Sequence, residues 1–192
     1  MSEAVRLPDR AARREALLDA ADRIICRDGP AASMASIAGE AGITKPILYR
    51  HFGDKGGLYA ALTERYTGRL LADLRVALEA GRDRRDRVER TIDAYLSAIE
   101  AEPEVYRFLS HSDEAVQAQS QVRSFMRRLA DLLAEGIGVE LDVPPERAAA
   151  WAHGIVGMVQ SSGDWWLETR TVPREELVAE LTALLFGAYA TS

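Results

Sequence analysis

Apolar residues return every three to four positions along almost the whole chain, and no segment sustains the two-residue alternation that a half-buried strand requires. That period commits the chain to helices packed on helices, an all-α fold. Leu17, Leu18, Ala21, Ile24 and Ile25 line one face of a first helix, which Gly29 and Pro30 bring to a stop by C-cap and breaker chemistry. Ser33 is placed to cap a short second helix in which Met34, Ile37, Ala38 and Ala41 point one way, and Gly42 follows where a left-handed backbone would close it. Thr44 stands at the cap of a third, with Pro46 in its first turn, where a missing N–H costs little, and Ile47, Leu48 and Phe52 as its apolar contacts. Asp54 caps a fourth helix predicted over 55–80.

After Gly81 the charge-rich run from Arg82 to Asp86 predicts a solvated turn. A fifth helix is expected over 87–101, a sixth over 104–109 behind Pro103, and a seventh that starts at Ser112, Asp113 and Glu114 and reaches about Glu135. Gly136, Gly138, Pro144 and Pro145 predict a break; an eighth helix then runs to about Thr169, and Pro173 opens a ninth ending near Tyr189. About nine helices therefore divide between an N-terminal three-helix domain, residues 1–54, and a larger helical domain, residues 55–192.

At 192 residues the chain can bury a substantial core, and 47% hydrophobic with 28% charged residues is ordinary globular usage, which excludes a disordered tail or a fibrous repeat. No stretch approaches the roughly 18–20 apolar residues of a membrane span, and Glu3 and Asp9 interrupt the opening residues where a signal peptide would be apolar, so a cytoplasmic protein is expected. The single Cys26 has no second cysteine for a disulfide or a metal site and is expected to pack as a small hydrophobe. Enzyme signatures are missing: there is no Gly-rich phosphate loop and no His-Glu-x-x-His, and Gly53 to Gly57 lacks the spacing of a P-loop. His111, Ser112 and Asp113 are sequence neighbours, which do not meet as base, nucleophile and orienter. No catalytic residue, metal or cofactor is implied.

A net charge of −6 argues at first against a nucleic-acid partner, but the charge is unevenly spread. Residues 1–56 sit near +1 and the remainder near −7, and the only two lysines, Lys45 and Lys55, both fall in the first part. A small head with a few well-placed cations on an acidic body suits selective phosphate contact.

Two short helices joined by a glycine turn outline a helix-turn-helix, whose second helix enters a DNA major groove. Ile37, Ala38, Ala41, Ile43, Leu48 and Phe52 hold such a pair at a fixed angle and leave Thr44, Lys45, Tyr49 and Arg50 outward. The run from Ser33 to Lys55, above all Ile37-Ala38, Ala41-Gly42-Ile43-Thr44, Leu48-Tyr49, His51-Phe52 and Lys55, strongly resembles the DNA-binding signature of the tetracycline-repressor (TetR) family. With the first and fourth helices the resemblance covers the first quarter to third of the chain; beyond it, helix number and lengths resemble the family's ligand-binding and dimerisation domain. It implies a homodimeric transcriptional regulator that binds double-stranded operator DNA and a small, largely apolar effector, with no membrane partner. The expected direction is a repressor released from its operator by that effector.

Carried onto this chain, the resemblance implies that Tyr49, His51 and Lys55 contact phosphates and that Ser33 caps the second helix beside the backbone. Thr44, Lys45 and Pro46 match positions that reach base edges, with Lys45 able to donate to guanine and Thr44 or Pro46 able to touch a thymine methyl; Arg50 suits either task. Pro46 departs from the glycine common there and removes a backbone donor. Arg6, Arg10, Arg13 and Arg14 form either a basic arm that tracks DNA or a solvated tail. The competing reading is a helical ligand-binding or interaction module without DNA-binding activity.

In the second domain Tyr66, Leu70, Tyr95, Ile99, Tyr106 and Phe108 are candidate lining of the cavity the family implies, together with Phe125, Met126, Leu129, Met158, Trp165 and Trp166. Most of them are expected simply to build core. Ala148, Ala152, Ile155, Val156 and Val159 of the eighth helix, with Leu177, Leu181, Leu184, Leu185 and Ala188 of the ninth, are candidates for a four-helix dimer interface. The stretch from Trp151 to Trp166 is similar to actinobacterial members that regulate lipid or fatty-acid genes. That similarity implies a long-chain acyl thioester or fatty acid as effector, with a multidrug-like aromatic compound as the rival.

Overall fold

The computed structural model describes residues 10–111 and 116–187, and among them every element is helical. Nine α-helices follow in order: α1 (Arg10–Asp28), α2 (Met34–Glu40), α3 (Lys45–Phe52), α4 (Lys55–Ala80), α5 (Arg84–Ala101), α6 (Pro103–His111), α7 (Val116–Leu141), α8 (Pro145–Thr169) and α9 (Arg174–Leu185), with a single 3-10 turn, Gly29–Ala31, behind α1. None is long and apolar enough to cross a membrane. The chain groups into two units, Met1–Glu64 with Glu104–Gln119, and Arg65–Pro103 with Ser120–Ser192. The first takes in more than residues 1–54, because Leu58, Tyr59, Ala61 and Leu62 of α4 are buried.

In the first unit Leu18, Ile24, Ile25, Ile37, Leu48, Leu58 and Leu62 are fully buried, and the Tyr59 and Phe108 rings meet edge to face at 4.8 Å. The turn from α2 to α3 is a Schellman motif: Gly42 adopts φ +64°, its N–H donates to Gly39 O, and the Ile43 N–H donates to Ala38 O at 2.9 Å. Asp54 does cap α4, accepting the Gly57 N–H at 2.7 Å. Gly57 itself is required, since a Cβ there would overlap the Phe52 carbonyl oxygen. Cys26 is exposed on α1, not packed as a small hydrophobe.

In the second unit α5 packs against α8 and α9. Leu96 and Ile99 face Gly163 so closely that a Cβ on it would stand 2.9 Å from Ile99 Cδ1. Arg174 reaches from α9 to Asp93 at 2.9 Å and Glu100 at 2.7 Å, and Arg170 reaches Glu100 at 2.6 Å. Three boundaries differ from expectation. Arg82 to Asp86 is only partly a turn: α5 begins at Arg84, because Asp83 accepts the Asp86 N–H at 2.9 Å as an N-cap. α7 runs through Gly136 and Gly138, each a cost of about 1 kcal/mol that a helix can absorb, and turns only at Asp142, φ +49°, ahead of Pro144. α9 leaves helical geometry at Phe186, and the expected end near Tyr189 lies outside the described residues, as does the expected seventh-helix start at Ser112.

Candidate nucleic-acid interface

A reading helix must be held from behind and left bare in front. Behind, α3 buries Leu48 and Phe52 against the first unit's core, and α2 buries Met34, Ile37 and Ala38. Ser33 caps α2 reciprocally: its Oγ accepts the Ser36 N–H at 3.1 Å while Ser36 Oγ accepts the Ser33 N–H at 3.0 Å. Its hydroxyl is thus committed to the helix end. Thr44 occupies the N-cap position of α3 with an extended backbone, but its side chain makes no cap hydrogen bond and stays exposed. Lys45 and Pro46 form the first turn.

In front, Lys45, Pro46, Tyr49 and Arg50 are all exposed, Tyr49 by 41%. At 100° per residue they fall within an arc of about 140°. No acidic residue lies between Gly42 and Gly53. This exposed face carries a lysine, an arginine and a tyrosine. Lys55 is half-buried, its ammonium 5.5 Å from the centre of the Tyr59 ring, so it touches the domain as well as solvent. His51 is half-buried as well. Burial, and then the guanidiniums of Arg10, Arg13, Arg50 and Arg14, push its imidazole below the ordinary histidine value.

Those arginines are placed differently from a loose arm. Arg10, Arg13 and Arg14 belong to α1, Arg14 lies 5.4 Å over the Phe52 ring, and Arg6 falls outside the described residues. Sequence reasoning left Arg13 unconnected to His51, because the two meet only across the domain's packing, thirty-eight positions apart. The one available signal was the helical period from Arg10 onward.

Residues 17–62 match the family described as "Bacterial regulatory proteins, tetR family", and residues 73–192 match "Tetracyclin repressor-like, C-terminal domain". The chain belongs to the TetR family. It is 29% identical over 185 residues to the HTH-type transcriptional activator FasR of Mycolicibacterium smegmatis, spanning 95% of this chain and 84% of that protein. A TetR-like transcriptional regulator from Rhodococcus sp. RHA1 superposes with a TM-score of 0.73 at 25% identity, over 97% of this chain and all of the other. FadR from Bacillus subtilis, solved in complex with stearoyl-CoA, shares the fold at a TM-score of 0.66 and 18% identity, over 89% and 96% of the two chains. This TetR-family chain is a helix-turn-helix transcriptional regulator.

The regulator's second unit disposes the other candidates unevenly. Tyr95, Ile99, Phe125 and Met126 are buried, whereas Tyr66, Leu70, Leu129 and Met158 are half-buried. Tyr66 donates its hydroxyl to Glu102. Trp166 is core: it is 1% exposed and its indole N–H donates to Val172 O at 2.8 Å. Trp165 is 47% exposed, and Tyr106 and Phe108 group with the first unit. An open groove of about 310 Å³ between α4 and α5 is lined by Asp73, Val76, Ala77, Ala80, Arg90, Asp93 and Ala94, none of them among the twelve candidates.

The dimer candidates divide in the same way. Ala148, Ala152, Leu177 and Leu181 are buried within their own unit, which removes them from any surface offered to a second copy. Ile155, Val156, Val159 and Leu185 are half-buried and Leu184 is 44% exposed. Ala188 lies outside the described residues. Trp151, not among the dimer candidates, is 44% exposed on α8, an aromatic on the outer side of that helix's buried stripe.

Proposed function

We propose that this cytoplasmic regulator binds operator DNA as a homodimer, with α3 in the major groove, and that a largely apolar effector held by the second unit releases it. The observation that carries the reading is the acid-free, exposed face of α3, which sets Lys45, Tyr49 and Arg50 outward from a helix locked behind by Leu48 and Phe52. Thr44, Lys45 and Pro46 meet base edges; Tyr49, His51 and Lys55 meet phosphates. Two heads related by a two-fold axis read half-sites about 34–36 Å apart, or a multiple of that.

For the effector, long-chain acyl thioesters are the class favoured. FadR of Bacillus subtilis, which shares the fold, was solved with stearoyl-CoA, and Tyr95, Ile99, Phe125 and Met126 supply an apolar interior. The direction of regulation assigned here is repression, although FasR is named an activator. Fluorescence anisotropy of a duplex from the regulator's own upstream region tests the reading. Affinity is expected to fall steeply with salt and to fall again when stearoyl-CoA is added. Absence of salt-dependent binding to the duplex would point instead to a helical module without DNA-binding activity.

A further inference from the structure

Beside the reading face, the first unit holds a groove of about 410 Å³ between α1 and the α2–α3 pair. Its walls are apolar. Ala16 is exposed on α1 over buried Leu17, and Ala41, Ile43 and Ile47 opposite are half-buried. Its two ends are charged and differ. At one, Arg23 and Glu40 meet at 2.7 Å, and with Arg27 and Asp28 beside them the charges sum to zero. At the other stand Arg13 and His51. Arg13 is exposed and, among the described residues, makes no ion pair and no hydrogen bond. Arg13 and Arg23 are ten positions apart on α1, a span of about 15 Å.

We propose that this groove binds an amphipathic organic carboxylate, its alkyl or aryl body against Ala16, Ile43 and Ile47 and its carboxylate at Arg13 and His51. Size and lining both fit, since small-molecule sites run from about 300 to 1,000 Å³ and are mostly apolar with a few polar groups. Charge then selects the ligand. The Arg23 end is already neutral, whereas the Arg13 guanidinium has no carboxylate of its own chain, and a guanidinium receives one through two parallel N–H donors. A cation of the same shape meets that guanidinium and is repelled; an uncharged chain gains the walls alone. The site belongs to the first unit and is separate from the effector site proposed in the second. Ile47 and His51 are residues of α3, so a filled groove withdraws His51 from a duplex. That competition, unlike the binding itself, rests on α3 being the DNA-reading helix.

The test titrates the full chain, without DNA, with decanoate and follows the His51 ring by NMR, its signals identified by their loss in His51→Gln. Decanoate is expected to shift them saturably. Acetate, which lacks the chain, and decyltrimethylammonium, which carries the opposite charge, are expected to leave them in place. Arg13→Gln should weaken decanoate about two- to fivefold, as for an exposed ion pair. Ala16→Phe, which fills the groove from an exposed position, should abolish the shift, with an unchanged thermal midpoint to show that it folds. Decanoate that leaves His51 unmoved, or moves it equally in Ala16→Phe, overturns the groove as a site. Equal binding of the cation, or an Arg13→Gln protein of unchanged affinity, overturns the carboxylate as its ligand.

Added to the operator complex, decanoate is expected to raise the apparent Kd for the duplex with the same midpoint that the His51 titration gives. A duplex that stays bound while the groove is saturated overturns the competition. A chain that binds no duplex at all removes the regulatory reading and the competition with it, while the DNA-free titration still decides the groove.

Discussion

Lys45 and Tyr49 stand one helical turn apart on the open side of α3, yet they should fail differently when altered. A lysine ammonium that donates to a guanine edge carries sequence information, whereas a phenol on a phosphate only fixes position. Lys45→Ala is therefore expected to cost about 1–3 kcal/mol on the preferred operator and to level the preference at one base pair, as competition among single-base operator variants would measure. Tyr49→Phe removes a single neutral donor and should cost about 1 kcal/mol, roughly a fivefold loss, equally on every variant. Neither change should move the melting temperature much, since both residues are exposed. A Tyr49→Phe protein that discriminates less well would move Tyr49 into the base-reading group. Ser33 illustrates the opposite case, a residue of the same domain whose hydroxyl oxygen accepts the Ser36 N–H at the end of α2.

Among the elements, the α3–α4 junction is the tightest. Gly53 turns the chain at φ +80°, Asp54 caps α4, and Gly57 leaves room for the Phe52 carbonyl. A methyl at position 57 meets backbone and not a movable side-chain end, so Gly57→Ala should cost about 1–3 kcal/mol, or roughly 2–4 °C of melting temperature per kcal/mol, measured by calorimetry. Operator affinity should fall with it, because α3 would have to shift. The α5 N-terminus gives a pH-dependent case. Asp86 accepts the Arg82 N–H, and that bond, with the Arg82 and Arg90 guanidiniums, draws its carboxyl down to about 2. A lowered folded-state value means stability present above about pH 4 and lost as pH falls through about 2. Asp86→Asn should flatten the urea midpoint against pH across that acid window and leave the profile above it unchanged. These junctions explain what was legible in the sequence. The turn to α3 and both ends of α4 follow from local chemistry, a cap, a glycine and a breaker each acting within a few positions. The α7 end was not legible, since the helix runs on through Gly136 and Gly138, and the Arg13–His51 groove joins residues that no local rule connects.

At the scale of the whole molecule, the question is what covers the outer side of α8. The alternating small and large residues there were readable as a dimer stripe, but which of them already serve their own core was not, because Ala148 and Ala152 look the same in sequence as residues awaiting a partner. The structure buries those two and leaves Trp151, Gly154, Gly157 and Trp165 exposed. A Cβ on Gly154 or Gly157 would meet nothing within 4 Å. Within one chain, Gly154→Ala should therefore only help, relieving a glycine penalty of about 0.5–1 kcal/mol. If two α8 helices approach across a two-fold axis at these glycines, the same methyl is an intrusion costing about 1–3 kcal/mol. Stability of the single chain and affinity of the dimer must then move in opposite directions, the first by denaturant titration at low concentration, the second by sedimentation equilibrium. Operator affinity should follow the dimer, because each head gains its avidity from the other. Packing confined to one chain has no way to produce that opposition, so a Gly154→Ala protein with unchanged self-association would remove α8 from the interface.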